Sequence, residues 1–152
     1  MNILFVCTGN TCRSPMAEGL LKKIAEDNDF EVEICSGGMN ANEGSRANAN
    51  AILALEKYGV DISGHVSKNV DAQTIADADV ILTMTAAHKE MLLYLFGGAA
   101  EEKTYTLLEY AGLDGDIDDP YGGDIDVYEK CAWEINNALL NVYEAVRSEF
   151  DV

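Results

Sequence analysis

Apolar and polar positions along this chain fall into short apolar runs separated by amphipathic stretches. Ile3 to Val6 is a continuous apolar run, the pattern of a strand buried on both faces of a parallel sheet. Ser14 then reads as a helix N-cap with Pro15 at the first helical position, where a missing N–H costs nothing. From Pro15 to about Glu26 apolar residues recur at 16, 17, 20, 21 and 24, one buried helix face. Phe30 to Cys35 alternates as a second strand and leads into a Gly-rich polar loop from Ser36 to about Arg46. Asn48 to Tyr58 reads as a helix closed by Gly59, and residues 69–78 as a short helix before a strand over 79–84. A helix over 86–96 stops at Gly97-Gly98, residues 103–108 form a fourth strand, and an acidic loop follows. Val127 to Phe150 places Tyr128, Cys131, Ile135, Leu139, Val142 and Val146 on one stripe of a long amphipathic helix.

Strands alternating with helices predict an α/β fold: a four-stranded parallel sheet, doubly wound in flavodoxin-like order, with helices on both faces. The length of 152 residues suits one domain over 1–152. Ligands of such folds bind beyond the carboxyl ends of the strands, which points to the loop that begins at Cys7.

Charge narrows the partners. Twenty-seven acidic residues against 10 basic ones give a net charge of −17, which repels nucleic acid and the anionic face of a membrane, so neither is expected as a partner. No leader pattern and no apolar run of about 20 residues is present, and a cytoplasmic, monomeric protein is expected. Cys7, Cys12, Cys35 and Cys131 are irregularly spaced and read as reduced thiols. With only His65 and His88 and no C-x-x-C, a structural zinc site has no ligand set. The expectation is no metal and no cofactor.

The string VCTGNTCRSPMAE carries the chemistry. A loop curling from a strand end into a helix N-terminus points successive backbone N–H groups into one concavity, where the helix dipole adds positive charge. Thr8, Gly9, Asn10, Thr11, Cys12 and Ser14 are the expected phosphate-binding residues, with Gly9 allowing close approach and Asn10 tolerating a left-handed conformation. Arg13 closes the ring with a fork suited to two phosphoryl oxygens. The same surroundings favour a thiolate at Cys7, to which the Ser14 hydroxyl can donate. Cys-x5-Arg-Ser thus reads as covalent phosphoryl transfer: Cys7 attacks phosphorus while the loop amides and Arg13 stabilise the developing charge.

This string resembles the phosphate-binding loop of the low-molecular-weight protein tyrosine phosphatases, and the resemblance extends over the whole chain in element order and length. The expected partner is therefore a phosphorylated protein substrate. The leaving group needs a proton, and Asp114, Asp116, Asp118, Asp119, Asp124 and Asp126 all lie in the acidic loop. Asp119 is singled out because Pro120 restricts its backbone and because the family's general acid is the Asp of this Asp-Pro pair; the other five read as solvated charges. A calcium loop starting at Asp114 fails, with Asp119 where glycine is needed and Ile125 where glutamate is needed.

The resemblance also implies that Asn10, Ser36 and His65 brace the loop; His88 receives no role. Thr11 stands where the family's tyrosine phosphatases usually carry a bulkier branched apolar residue, and it matches the arginine phosphatase branch. A hydroxyl there suits a guanidinium, which favours phosphoarginine, whereas Tyr121 offers an aromatic wall for phosphotyrosine. Arsenate reductases share the loop but need resolving cysteines that residues 80–96 lack, and sugar-transport phosphocarriers with a related loop lack the arginine. Cys12 is expected to form a protective disulfide with Cys7 on oxidation.

Overall fold

The computed structural model describes residues 1–150. Asp151 and Val152, the end of the domain expected over 1–152, lie outside the described residues. Four strands, β1 (Asn2–Cys7), β2 (Glu33–Gly38), β3 (Val80–Thr83) and β4 (Thr104–Thr106), form one all-parallel sheet in the order β2-β1-β3-β4. The order reverses between β1 and β3, so the crevice at their carboxyl ends opens beside Cys7.

Residues of β1 alternate between two cores. Ile3, Phe5 and Cys7 face α1 (Arg13–Asp27), α2 (Ala49–Glu56) and α6 (Ile125–Phe150), while Leu4 and Val6 face α3 (Ala72–Asp77) and α4 (Ala86–Phe96). All six residues expected along the last helix are buried, and a buried Leu or Val there contributes about 1.5–3 kcal/mol. This long helix starts two residues early, at Ile125, because the Asp124 carboxylate accepts the Val127 N–H.

Several boundaries move for local reasons. Helix α1 begins at Arg13 with Cys12 at its N-cap position and no side-chain cap, so Ser14 is not the N-cap but lies inside the first turn, fully buried. Pro15 is still harmless there, because the first turn's N–H groups have no partners within the helix. Strand β2 runs to Gly38 instead of stopping at Cys35, since Ser36, Gly37 and Gly38 pair with Phe5, Val6 and Cys7. The expected fourth strand ends at Thr106, where a reciprocal capping box between Thr106 and Glu109 opens a short helix, α5 (Leu107–Tyr110). The expected helix over 69–78 contracts to 72–77, capped by the Asp71 side chain.

Gly38 sets how closely β2 can approach the loop after β1. A Cβ there would lie 2.6 Å from the Thr8 carbonyl oxygen and 2.9 Å from Ala41 Cβ. Gly38→Ala is therefore expected to displace the loop, lowering stability by about 1–3 kcal/mol in urea unfolding and weakening inorganic phosphate binding in titration. Phosphate binding equal to the wild type would show that this contact does not shape the loop.

Candidate active site

The loop from Cys7 to Arg13, with Asp119 and Tyr121, lines a cleft of about 240 Å³ at the end of β1. Its shape comes from what surrounding elements do to its carbonyl groups. Cys7 O accepts from Met39 N, Thr8 O from Asn40 N, Thr11 O from Asn48 N and Cys12 O from Met16 N. Asn10 O accepts from His65 Nε2 at 2.7 Å. With these carbonyls bonded outward, the loop's amides are left to the concave side, as anion binding requires.

Asn10 is the pivot. Its φ of 56° is the left-handed turn that lets the loop curl. It is fully buried, and its side chain makes three bonds. Oδ1 accepts from Lys68 N, and Nδ2 donates to Ser14 Oγ at 2.9 Å and to Ser36 Oγ at 3.0 Å. Ser36 Oγ in turn donates to Glu18 Oε1 at 2.6 Å. Ser14 Oγ accepts from Asn10 and lies 2.8 Å from Cys7 Sγ, to which its hydroxyl can donate. The chain of bonds thus holds a hydroxyl beside the sulfur of Cys7, a residue only 3% exposed at the cleft floor.

Arg13 lies buried beneath the cleft, with Nη1 donating to Ile117 O at 2.8 Å and Nη2 3.8 Å from Asp119 Oδ2. Asp119 is aimed by a second device besides Pro120: its Oδ1 accepts the Tyr121 N–H at 3.0 Å, closing a tight turn. Its other oxygen stays over the cleft, and its side chain is 56% exposed.

The chain from residue 2 to 151 matches the family model described as low molecular weight phosphotyrosine protein phosphatase. The chain belongs to this family. It is 39% identical to a protein-arginine-phosphatase of Bacillus subtilis over 98% of this chain and 99% of that one. It is 40% identical to the low molecular weight protein-tyrosine-phosphatase PtpB of Staphylococcus epidermidis, covering 86% of this chain and 88% of that one. Among solved structures it superimposes with a TM-score of 0.95 and 38% identity, over 99% of both chains, on a cysteine-to-serine mutant of the YwlE arginine phosphatase with a phosphorylated active-site serine. The chain is thus a protein phosphatase of the low-molecular-weight type.

Within this family frame the structure brings Cys7, Thr8, Gly9, Asn10, Thr11, Cys12, Arg13, Ser14, Ser36, His65, Asp119 and Tyr121 to one site. Two of the acidic-loop residues read as solvated have structural partners: Asp116 accepts the Ala86 N–H at the start of α4, and Asp124 caps α6. Four contributors were missed. Glu18 ends the Asn10 chain, Ile117 holds Arg13, the Lys68 amide fixes the Asn10 side chain, and His88 bonds Thr8 Oγ1 at 2.8 Å. Only Ile117 gave a signal, a lone apolar residue in an acidic run, and it is fully buried.

The remaining thiols differ from Cys7 in surroundings. Burial pushes the Cys12 thiol up, and its sulfur lies 3.3 Å from the Tyr128 hydroxyl. Burial likewise raises Cys131 to about 12. Cys35 is only half-buried, with its thiol donating to Ile3 O at 3.8 Å. All four cysteines are unpaired. Among the described residues no helix is long and apolar enough to cross a membrane.

Proposed function

We propose that this enzyme hydrolyses phosphoarginine on proteins through a phosphocysteine at Cys7. In the first step the Cys7 thiolate attacks phosphorus, an S–P bond forms, and the P–N bond to the guanidino group breaks. Asp119 gives its proton to the departing nitrogen, and the resulting carboxylate then takes a proton from the water that displaces phosphate from sulfur. The loop amides and Arg13 hold the equatorial oxygens throughout, so their donors strengthen as charge develops. Ser14 stabilises the sulfur as nucleophile and again as leaving group.

The observation that carries the choice of substrate is Thr11. It lines the cleft, with its hydroxyl 3.8 Å from Cys12 Sγ and 3.7 Å from where a Cβ on Gly9 would stand. A hydroxyl at the cleft can bond a guanidinium or a water beside it, which an Ile or Leu cannot. The arginine phosphatase relative spans the full chain, in keeping with this reading. Tyr121 supports the second reading, phosphotyrosine, because it lines the cleft and is 76% exposed, free to cover a phenyl ring. The site is completed by residues of one chain, and a reactive thiol beside a second thiol suits a reducing compartment, so we place the enzyme in the cytoplasm as a monomer.

Matched phosphoarginine and phosphotyrosine peptides separate the two readings. The wild type is expected to favour phosphoarginine, and Thr11→Ile to shift the ratio of kcat/KM toward phosphotyrosine by about tenfold or more. A wild type that turns over phosphotyrosine equally well, with a ratio unchanged by the substitution, would refute the substrate assignment.

Peroxide is expected to convert Cys7 to a sulfenic acid, which the Cys12 thiol then condenses with, releasing water and forming a disulfide that thiols reduce. Mass analysis of peroxide-treated protein checks this. Sulfinic acid at Cys7 in place of the disulfide would count against a protective role for Cys12.

A further inference from the structure

His88 sits on the first turn of α4, outside the Asn10 network, yet it touches the phosphate loop. Its Nε2 lies 2.8 Å from Thr8 Oγ1, and its Nδ1 lies 3.0 Å from Thr85 Oγ1. Thr85 is the N-cap of α4, and its hydroxyl accepts the His88 backbone N–H at 3.1 Å. The Thr85 hydroxyl can donate to Nδ1, an arrangement that puts the ring proton on Nε2. His88 then donates to Thr8, the residue directly after Cys7.

The same turn also holds the acid loop. Asp116 Oδ1 accepts from Ala86 N at 2.9 Å, two residues before His88. Thr8 is fixed from its other side by Asn40 N, which donates to its carbonyl oxygen. Residues 85–88 therefore bridge the loop that carries Asp119 and the first residue of the loop that binds phosphate. Charged groups facing the ring are Arg13, Asp116 and Asp119; burial first, and then Arg13, lower its pKa, keeping the neutral ring that this donor pattern needs.

We propose that His88 is a positioning residue for the reaction: through its Nε2–H bond to Thr8 it fixes the first peptide of the phosphate loop relative to the acid loop. The proposal rests on the phosphatase reading of the site. Sequence gave no hint of it, because Thr8 and His88 are 80 positions apart.

The test measures kcat/KM for a small aryl phosphate with the wild type, His88→Ala, His88→Gln, His88→Asn, Thr8→Val and the Ala/Val double variant, each confirmed folded by circular dichroism. His88→Ala and Thr8→Val are each expected to lose about tenfold, the worth of one well-made hydrogen bond, and the double variant no more than either alone. Gln, whose amide nitrogen reaches the Nε2 position, is expected to restore most of the rate, and the shorter Asn is not. Thr8 is exposed, so Thr8→Val probes the contact even where substitutions at His88 lower stability. Additive losses, or a Gln variant as slow as Ala, would overturn the positioning role. A wild type that leaves the aryl phosphate intact would instead overturn the phosphatase reading beneath it.

Discussion

The outward bonding of the loop carbonyls is the constraint on which the site depends. A peptide group has one donor and one acceptor on opposite sides, so a carbonyl claimed from outside turns its neighbouring amide inward. Five carbonyls between Cys7 and Cys12 are claimed in this way, by Met39, Asn40, His65, Asn48 and Met16. The donors come from the end of β2, the segment before α3, the start of α2 and α1 itself. The anion cradle is therefore a property of the whole sheet end and not of the loop sequence alone. Preorganisation of this kind places donors before charge develops, so little reorganisation accompanies the reaction.

This arrangement also explains how a chain of net charge −17 can bind a phosphoryl group. Surface carboxylates act through water and are screened over about 8 Å at physiological salt. The donors at the cleft act at contact distance, and Arg13, only 6% exposed in its side chain, is screened much less. Its guanidinium is steered by the Ile117 carbonyl rather than by a carboxylate at hydrogen-bond distance, since Asp119 stays 3.8 Å away. A tight ion pair would neutralise the cation that phosphate needs; this looser one keeps the acid beside the cleft.

Sequence reasoning succeeded where local chemistry and local geometry coincide. Asn10 was expected to tolerate a left-handed turn and does so at φ 56°, and Gly97 stops α4 in the expected place. Ser14 shows the opposite. Ser-Pro is an N-cap signal, but the helix starts two residues earlier, at Arg13, and the hydroxyl is drawn inward by Asn10 and Cys7. Strand β2 extends beyond Cys35 without a sequence signal, because Ser36, Gly37 and Gly38 have no apolar pattern and pair with β1 through backbone alone. Glu18 and Lys68 carry no signal in the sequence, and His88 receives no role from it, because each acts on a residue that only the fold brings near. The Thr106-x-x-Glu109 capping box is a readable signal, masked by the Leu107-Leu108 pair inside it, which continues the apolar pattern of the strand.

The central claim is that Cys7 carries the phosphoryl group during turnover. Without Asp119 the water that attacks the phosphocysteine lacks its base, so Asp119→Ala mixed with an aryl phosphate of good leaving group should accumulate the intermediate. Rapid acid quench and peptide mass spectrometry should then find one phosphoryl group on the peptide containing Cys7, and none in Cys7→Ala at the same delay. Turnover with retained activity in Cys7→Ala, or a phosphoryl group found on another residue, would contradict the account.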